Sequence, residues 1–206
     1  MTLAARLKPW HRHNARLLLI FLAAHLLSHL AAIFGPDSQA AVMNAARAVY
    51  RTPVIEIPLI GLFIAQVGLG LIMVWPRIRQ SQKPLWSWIQ IVSGIYLAVF
   101  ILNHIFLGIL RGRTFDGVET GFHFVAATLV TAPIKYGFIP YYFLAIVALF
   151  AHLAAALHWS GRSTRITRGL IILGVTIASL VTASYAGLFY PIELPDAYNA
   201  YLDKAF

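Results

Sequence analysis

The sequence predicts an all-α fold, an integral membrane bundle of five transmembrane helices, and three observations carry that expectation. Hydrophobic residues fill 60% of the 206 positions and charged ones only 11%, and the mean hydropathy is +0.75. A soluble domain would carry roughly 25% charged residues. Five apolar stretches, 16–35, 55–75, 86–110, 139–159 and 169–190, each approach or exceed the ~20 residues that cross a hydrocarbon core. The charges are also sorted by side. Arg6, Lys8, Arg12 and Arg16 precede the first span, Arg77, Arg79 and Lys83 follow the second, and Arg162, Arg165 and Arg168 follow the fourth, with no acid in these segments. All seven acids, Asp37, Glu56, Asp116, Glu119, Glu193, Asp196 and Asp203, belong to the opposite side. That positive-inside pattern puts the N-terminus in the cytoplasm and the C-terminus outside.

The chain therefore reads as one transmembrane domain over 1–206. Its first apolar run, from near Leu17, is long enough to stay in the bilayer rather than act as a cleavable signal. The outer loop 111–138 contains "GFHFVAATLVTAPI", apolar enough to lie along the membrane surface. The net charge of +9 is confined to a basic inner face. That distribution speaks for anionic lipid headgroups or a soluble protein partner, and against nucleic acid. The absence of cysteine excludes disulfides, thiolate ligation of haem and any iron–sulfur cluster held by this chain.

Span by span, the residues that do not belong in lipid are histidines. "AAHLLSHLAAIFGP", residues 23–36, puts His25 and His29 four apart in the first span; the third carries His104 and the fourth His152. The second has no histidine; Gln66, in "AQVGLG" (65–70), is its polar interior residue, with Gly68 and Gly70 thinning the helix beside it. His158 sits beside Trp159 at the inner interface, His11 and His13 fall in the basic N-terminal tail, and His123 in the outer loop. Ionisable residues inside spans face the bundle interior and mark function, although one such histidine can also simply bond a neighbouring helix for about 1 kcal/mol. A bare transition-metal ion wants three or four ligands converging at one depth, whereas these come one or two per helix. A flat macrocycle between helices needs one imidazole from each, so haem is the cofactor the pattern suits.

Depth pairs them. His29 lies six residues before Gly35 and His104 seven before Arg111, so at 1.5 Å per residue both stand ~10 Å from the outer end of their spans. His25 is ~6 Å deeper on nearly the same face. Depth favours His29 as the partner of His104.

Several motifs resemble the five-helix cytochrome b membrane anchors of the succinate dehydrogenase and fumarate reductase family. "FLAAHLLSHLAAIFG" is similar to the family's first span, "YRTPVIEIPLIGLF" to the start of its second, and "ALFAHLAAAL" to its fourth. "WSWIQIVSGIYLAVFILNHI" is the most specific match, through Gln90, Ser93, Gly94 and His104. The resemblance spans about 15–190. It implies a bacterial inner membrane, haem b as cofactor, quinone as substrate, and flavoprotein and iron–sulfur partners on the basic face. It also implies that haem ligands fall at His25, His104 and His152, with His29 beside them where an asparagine is common. The family pairs its first ligand with its third near the outer side and its second with its fourth near the inner side. Register thus favours His25, and we take His25 as the ligand with His29 as its hydrogen-bonding neighbour.

The chain departs from the family at one end. Gln66 stands where the second ligand, a histidine, is expected, while Gly70 keeps the spacing; Ile91 replaces an arginine. An amide is a poor ligand for ferric haem, so the resemblance implies one haem b and leaves a second open. No residue here oxidises succinate. The expectation is an anchor passing electrons to or from quinone, with Ser87, Trp88 and Gln90 as quinone contacts and Glu56 as the acid nearest the outer haem, or else an interfacial ion pair with nearby Arg51. The alternative is a stand-alone membrane haem protein, serving as quinone-linked carrier, haem handler or redox sensor.

Overall fold

The computed structural model describes residues 3–205, and every regular element among them is helical. Helix α1 spans Leu3–Leu30 and tightens into a 3₁₀ turn at Ala31–Phe34. It is followed by α2 (Pro36–Tyr50), α3 (Pro53–Ile78), α4 (Leu85–His104, continued as a π-helix over Ile105–Phe115), α5 (Phe122–Val130), α6 (Lys135–His158), α7 (Thr164–Tyr185) and α8 (Asp196–Ala205). Five of them, α1, α3, α4, α6 and α7, are long and apolar enough to cross a membrane.

Local chemistry sets several of the joints. Gly35 turns the chain between α1 and α2 at φ +109°, a conformation that L side chains rarely adopt. Pro36 and Pro53 open α2 and α3 at positions where a missing N–H costs nothing. Ser163 caps α7, its Oγ accepting from the Ile166 N–H at 3.5 Å. The spanning helices turn large apolar side chains outward, Val54 at 85% exposure and Ile20 at 74% among them. A water-soluble surface rarely carries so much apolar area; in a bilayer it meets lipid.

Packing closes the spans into a ring. α6 lies between α4 and α7, α3 between α1 and α4, and α7 returns to α1 and its 3₁₀ turn. The π-helical stretch, with Thr114 Oγ1 donating to the Ile109 carbonyl at 2.8 Å, carries the α4 span through to Phe115.

The structure departs from the sequence expectation at several points, of which three position the site or its cover. Helix α1 begins at Leu3, about 20 Å further along than a start at residue 16 would allow. Hydropathy marks where a chain leaves hydrocarbon, not where backbone hydrogen bonding stops, so His11 and His13 are helical rather than in a tail. The fifth span ends at Tyr185. The loop 111–138, expected to lie along a membrane surface, turns its apolar centre into the protein. Its centre folds as α5, which is buried from Phe122 and from Phe124 through Leu129 against α2, α6, α7 and α8. Tyr198, Tyr201 and Leu202 of α8 cover it, and the Tyr198 hydroxyl donates to the Glu119 carbonyl at 2.9 Å.

Candidate functional site

A cavity of about 840 Å³ runs along the middle of the bundle, walled by α1, α3, α4 and α6 and touched by α7. Cofactor and ligand pockets are commonly ~300–1,000 Å³. Lys8, Arg12, Arg16 and Arg77 line it where α1 begins; Arg47, Arg51 and Arg113 line it at the far end. Between these cationic mouths the lining is largely aliphatic and aromatic, interrupted by His11, His25, His29, Gln66, His104 and His152.

At the far end, α1 and α4 bring His25 and His104 together with ring centroids 5.8 Å apart and planes at 73°. Each imidazole is stacked on the phenylalanine one turn before it: Phe21 on His25 at 5.3 Å and 15°, Phe100 on His104 at 5.3 Å and 17°. Residues four apart share a helix face, so "FLAAH" and "FILNH" build the same ring pair from opposite walls. His29 Nε2 lies 3.2 Å from His25 Nε2, and His29 Nδ1 is 2.8 Å from the Tyr185 hydroxyl on α7. His25 Nδ1 is buried with no hydrogen-bond partner among the described residues. It is His25, hydrogen-bonded to His29, whose ring lies against the His104 ring, and both His25 and His29 line the cavity.

The near end holds a second group. His11 of α1 projects against α3, where a Cβ on Gly70 would stand 3.4 Å from its Cε1. Gln66 Nε2 is 3.2 Å from His11 Nε2, and the Gln66 carbonyl oxygen accepts from Asn14 Nδ2 at 2.9 Å. With its oxygen so occupied, the Gln66 amide presents N–H to the imidazole. On the other wall His152 of α6 rests on Gly94 of α4, where a Cβ would come within 3.0 Å of its Cε1. Ser93 Oγ donates to the Ile89 carbonyl at 2.6 Å and lies 3.2 Å from His152 Nδ1. A hydroxyl has one proton, so Ser93 accepts from His152 Nδ1–H, and the lone pair of that ring sits on Nε2.

The structure therefore gathers His25, His29 and His104 at one end and His152 and Gln66 at the other, and it adds His11, which sequence reasoning left out. A signal existed: His11 and His25 are 14 residues apart, within ~40° of four whole turns. Of the expected quinone contacts, Gln90 lines the cavity, its Oε1 accepting from Arg77 Nη1 at 2.8 Å. Trp88 faces outward beneath Lys83, and Ser87 does not reach the cavity. Glu56 pairs with Arg113 at 2.7 Å rather than with Arg51.

Arg47 donates to Glu119 and to the Thr120 carbonyl, both at 2.8 Å. Arg51 donates to the Thr120 hydroxyl at 3.1 Å; burial, then the neighbouring Arg47, draws its guanidinium below the ordinary value. All four ion pairs found among the described residues use Glu56, Asp116 or Glu119.

Chemically, paired imidazoles on opposite walls can each donate a lone pair to an ion between them, and cationic mouths can receive carboxylates. Among the described residues no group of three or more histidine, aspartate or glutamate side chains is placed to hold a bare metal ion. No protein-family model, curated protein or solved structure matches the chain.

Proposed function

We propose that the chain is a haem b-binding membrane anchor of the succinate dehydrogenase and fumarate reductase type, passing electrons between flavoprotein and iron–sulfur partners and the membrane quinone pool. The observation that carries this reading is the approach of His25 and His104, from two different spans, at one end of an apolar cavity with a cationic mouth.

The residues suit the cofactor. His25 Nδ1 is buried and unpartnered, an imidazole nitrogen with no structural employment. The two rings are held by stacked phenylalanines rather than by hydrogen bonds to each other. Arg51, beside Arg47 and Arg113 which already hold Glu119 and Glu56, is the cation at this end that would receive a porphyrin carboxylate, and the aliphatic walls would suit the ring's faces. His25 and His104 are the residues that hold haem here, which when bound supplies one-electron redox chemistry at a potential tuned by its ligands and surroundings.

The chain's own groups then have distinct tasks. His29, tied to Tyr185, holds His25 through its Nε2, the role that outer partners play for a ligating histidine. Helix α5 and Leu129 cover the far end and keep water from the redox group. Glu56, held by Arg113, is a carboxylate lining the cavity at that end. In this reading the mouth lined by Lys8, Arg12, Arg16 and Arg77 faces the cytoplasm, following the positive-inside rule, and its carboxylate-free surface receives the soluble partners.

Expression with ample haem, followed by purification in detergent, tests this. The expected product shows a Soret band that His25→Ala and His104→Ala each weaken. Co-purifying flavin and iron–sulfur subunits support the anchor; haem without them would favour a stand-alone carrier. A colourless preparation overturns both.

A further inference from the structure

We infer that the inner half of α1 binds an anionic phospholipid below the ordinary headgroup level, with its phosphate held by Arg12 and Arg16 and one acyl chain lying in the cavity. The site needs the membrane-spanning bundle and is independent of haem.

Three contacts fix how deep α1 sits. His11 rests on Gly70, where an added Cβ would stand 3.4 Å from its Cε1. Asn14 Nδ2 donates to the Leu62 carbonyl at 2.8 Å and to Gln66 Oε1 at 2.9 Å. His11 lies eight residues from the start of α1 at Leu3, and Gly70 eight from the end of α3 at Ile78, so these two ends are level. With Arg77 as the inner edge of α3, Arg12 stands ~12 Å and Arg16 ~18 Å inside that edge at about 1.5 Å per residue. The hydrocarbon core is only ~30 Å thick. The sequence reads both arginines as interfacial; the packing of α1 on α3 takes them into the bilayer.

Charged side chains at such depth are rare, and they face a cavity or a partner. Lys8, Arg12 and Arg16 follow one another at intervals of four, which makes one row along α1. The row lines the central cavity and also, with Pro9 and His13, a groove of about 470 Å³. All three side chains are exposed, and none of them joins an ion pair among the described residues. All seven acids lie at the opposite end of the bundle. The counter-charge must therefore come from outside the chain.

It must also reach the bilayer interior. A soluble subunit meets only the mouth, and a neutral quinone leaves the row unpaired. An anionic phospholipid brings a phosphate, which guanidinium groups bind through paired hydrogen bonds. It also brings acyl chains that suit the aliphatic lining of Leu22, Val67, Ile91 and Leu149. The reach fits as well. Side chains on a helix lean towards its N-terminus, here the inner mouth, so Arg12 and Arg16 extend towards a headgroup that enters from the inner leaflet. Lys8, one turn nearer the mouth, and Arg77 line the way in.

The test uses the full chain, purified in neutral detergent, stripped of lipid and titrated with phosphatidylglycerol, phosphatidylcholine or oleate, the retained molecules being counted by native mass spectrometry. A single phosphatidylglycerol should bind and persist in about 1 M salt, where attraction between exposed charges is screened. Phosphatidylcholine and oleate should not displace it. Arg12→Gln combined with Arg16→Gln should weaken binding about thirtyfold. Arg165→Gln combined with Arg168→Gln removes two exposed cations from the start of α7 and should leave binding unchanged. If the Arg12 and Arg16 glutamine form does not fold, Arg12→Lys with Arg16→Lys keeps the charge without the paired hydrogen bonds and should bind more weakly than wild type. Equal retention of phosphatidylcholine, preference for oleate, or equal weakening by the two double glutamine substitutions overturns the inference. None of these results touches the Soret band, and a colourless preparation that still holds phosphatidylglycerol overturns the proposed function alone.

Discussion

Replacing Tyr185 by phenylalanine removes a single oxygen from the contact that ties α7 to the histidines of α1. The ring is 1% exposed and stacks on Phe122 at 4.8 Å, so phenylalanine keeps the packing. What goes is the 2.8 Å bond to His29 Nδ1. Stripping a buried polar group of its partner costs about 1–3 kcal/mol, while interhelical bonds in bilayers average about 0.6 and reach about 1.7 kcal/mol. The lower scale governs here, because His29 keeps its other nitrogen against His25 and its ring borders the cavity. We expect a loss of about 1 kcal/mol, measured by reversible unfolding in mixed detergent micelles. A double-mutant cycle with His29→Leu isolates the bond. The two single substitutions should be non-additive by most of that amount, whereas unconnected sites add to within about 0.3–0.5 kcal/mol. Additivity within that margin would refute the claim that this bond braces the histidine cluster. In haem-loaded protein the same substitution should also shift the midpoint potential of the His25 site, since the brace acts on His25 through His29.

The other expectations are independent of that bond. Gly174→Ala would place a Cβ 2.4 Å from Phe150 Cβ between α7 and α6; overpacking of this kind costs about 1–3 kcal/mol, and thermal unfolding should show it. Gly169→Ala on the same helix meets nothing within 4 Å, so it should be neutral or gain up to about 1 kcal/mol from helix propensity. Because the chain has no cysteine, Arg165→Cys and Lys204→Cys report topology alone: an impermeant thiol reagent applied to intact cells should label the second and spare the first. Burial, with Glu119 nearby, raises the Tyr198 phenol above its ordinary value. A group whose folded pKa exceeds its unfolded one contributes fully below the unfolded value of about 10 and loses that contribution as pH climbs through the folded one. The thermal midpoint should therefore fall above about pH 10, and fall less in Tyr198→Phe; equal slopes in both proteins would remove Tyr198 from the docking of α8.

Composition and periodicity alone determined that this chain is a helical bundle with five candidate spans, because apolar runs of ~20 residues need no partner to declare themselves. They also singled out His25, His29, His104 and His152, since an imidazole in an apolar run is conspicuous wherever the run is read. Which histidine of α1 meets His104 was not legible from depth, which favoured His29; only the register of the resemblance pointed to His25. His25 against His104, with His29 turned to Tyr185, depends on the rotation of α1 relative to α4 and α7, and small angular differences between residues four apart cannot be resolved before the helices pack. His11 was hidden for a different reason. It lies among arginines and a lysine, so its local chemistry reads as interface, and only the continuation of α1 to Leu3 carries it beneath Gly70 and into the cavity. The burial of α5 was likewise a decision of the fold. Its apolar residues would suit a membrane surface equally well, and they are covered because α8, more than sixty residues later in the chain, supplies the tyrosines that lie over them.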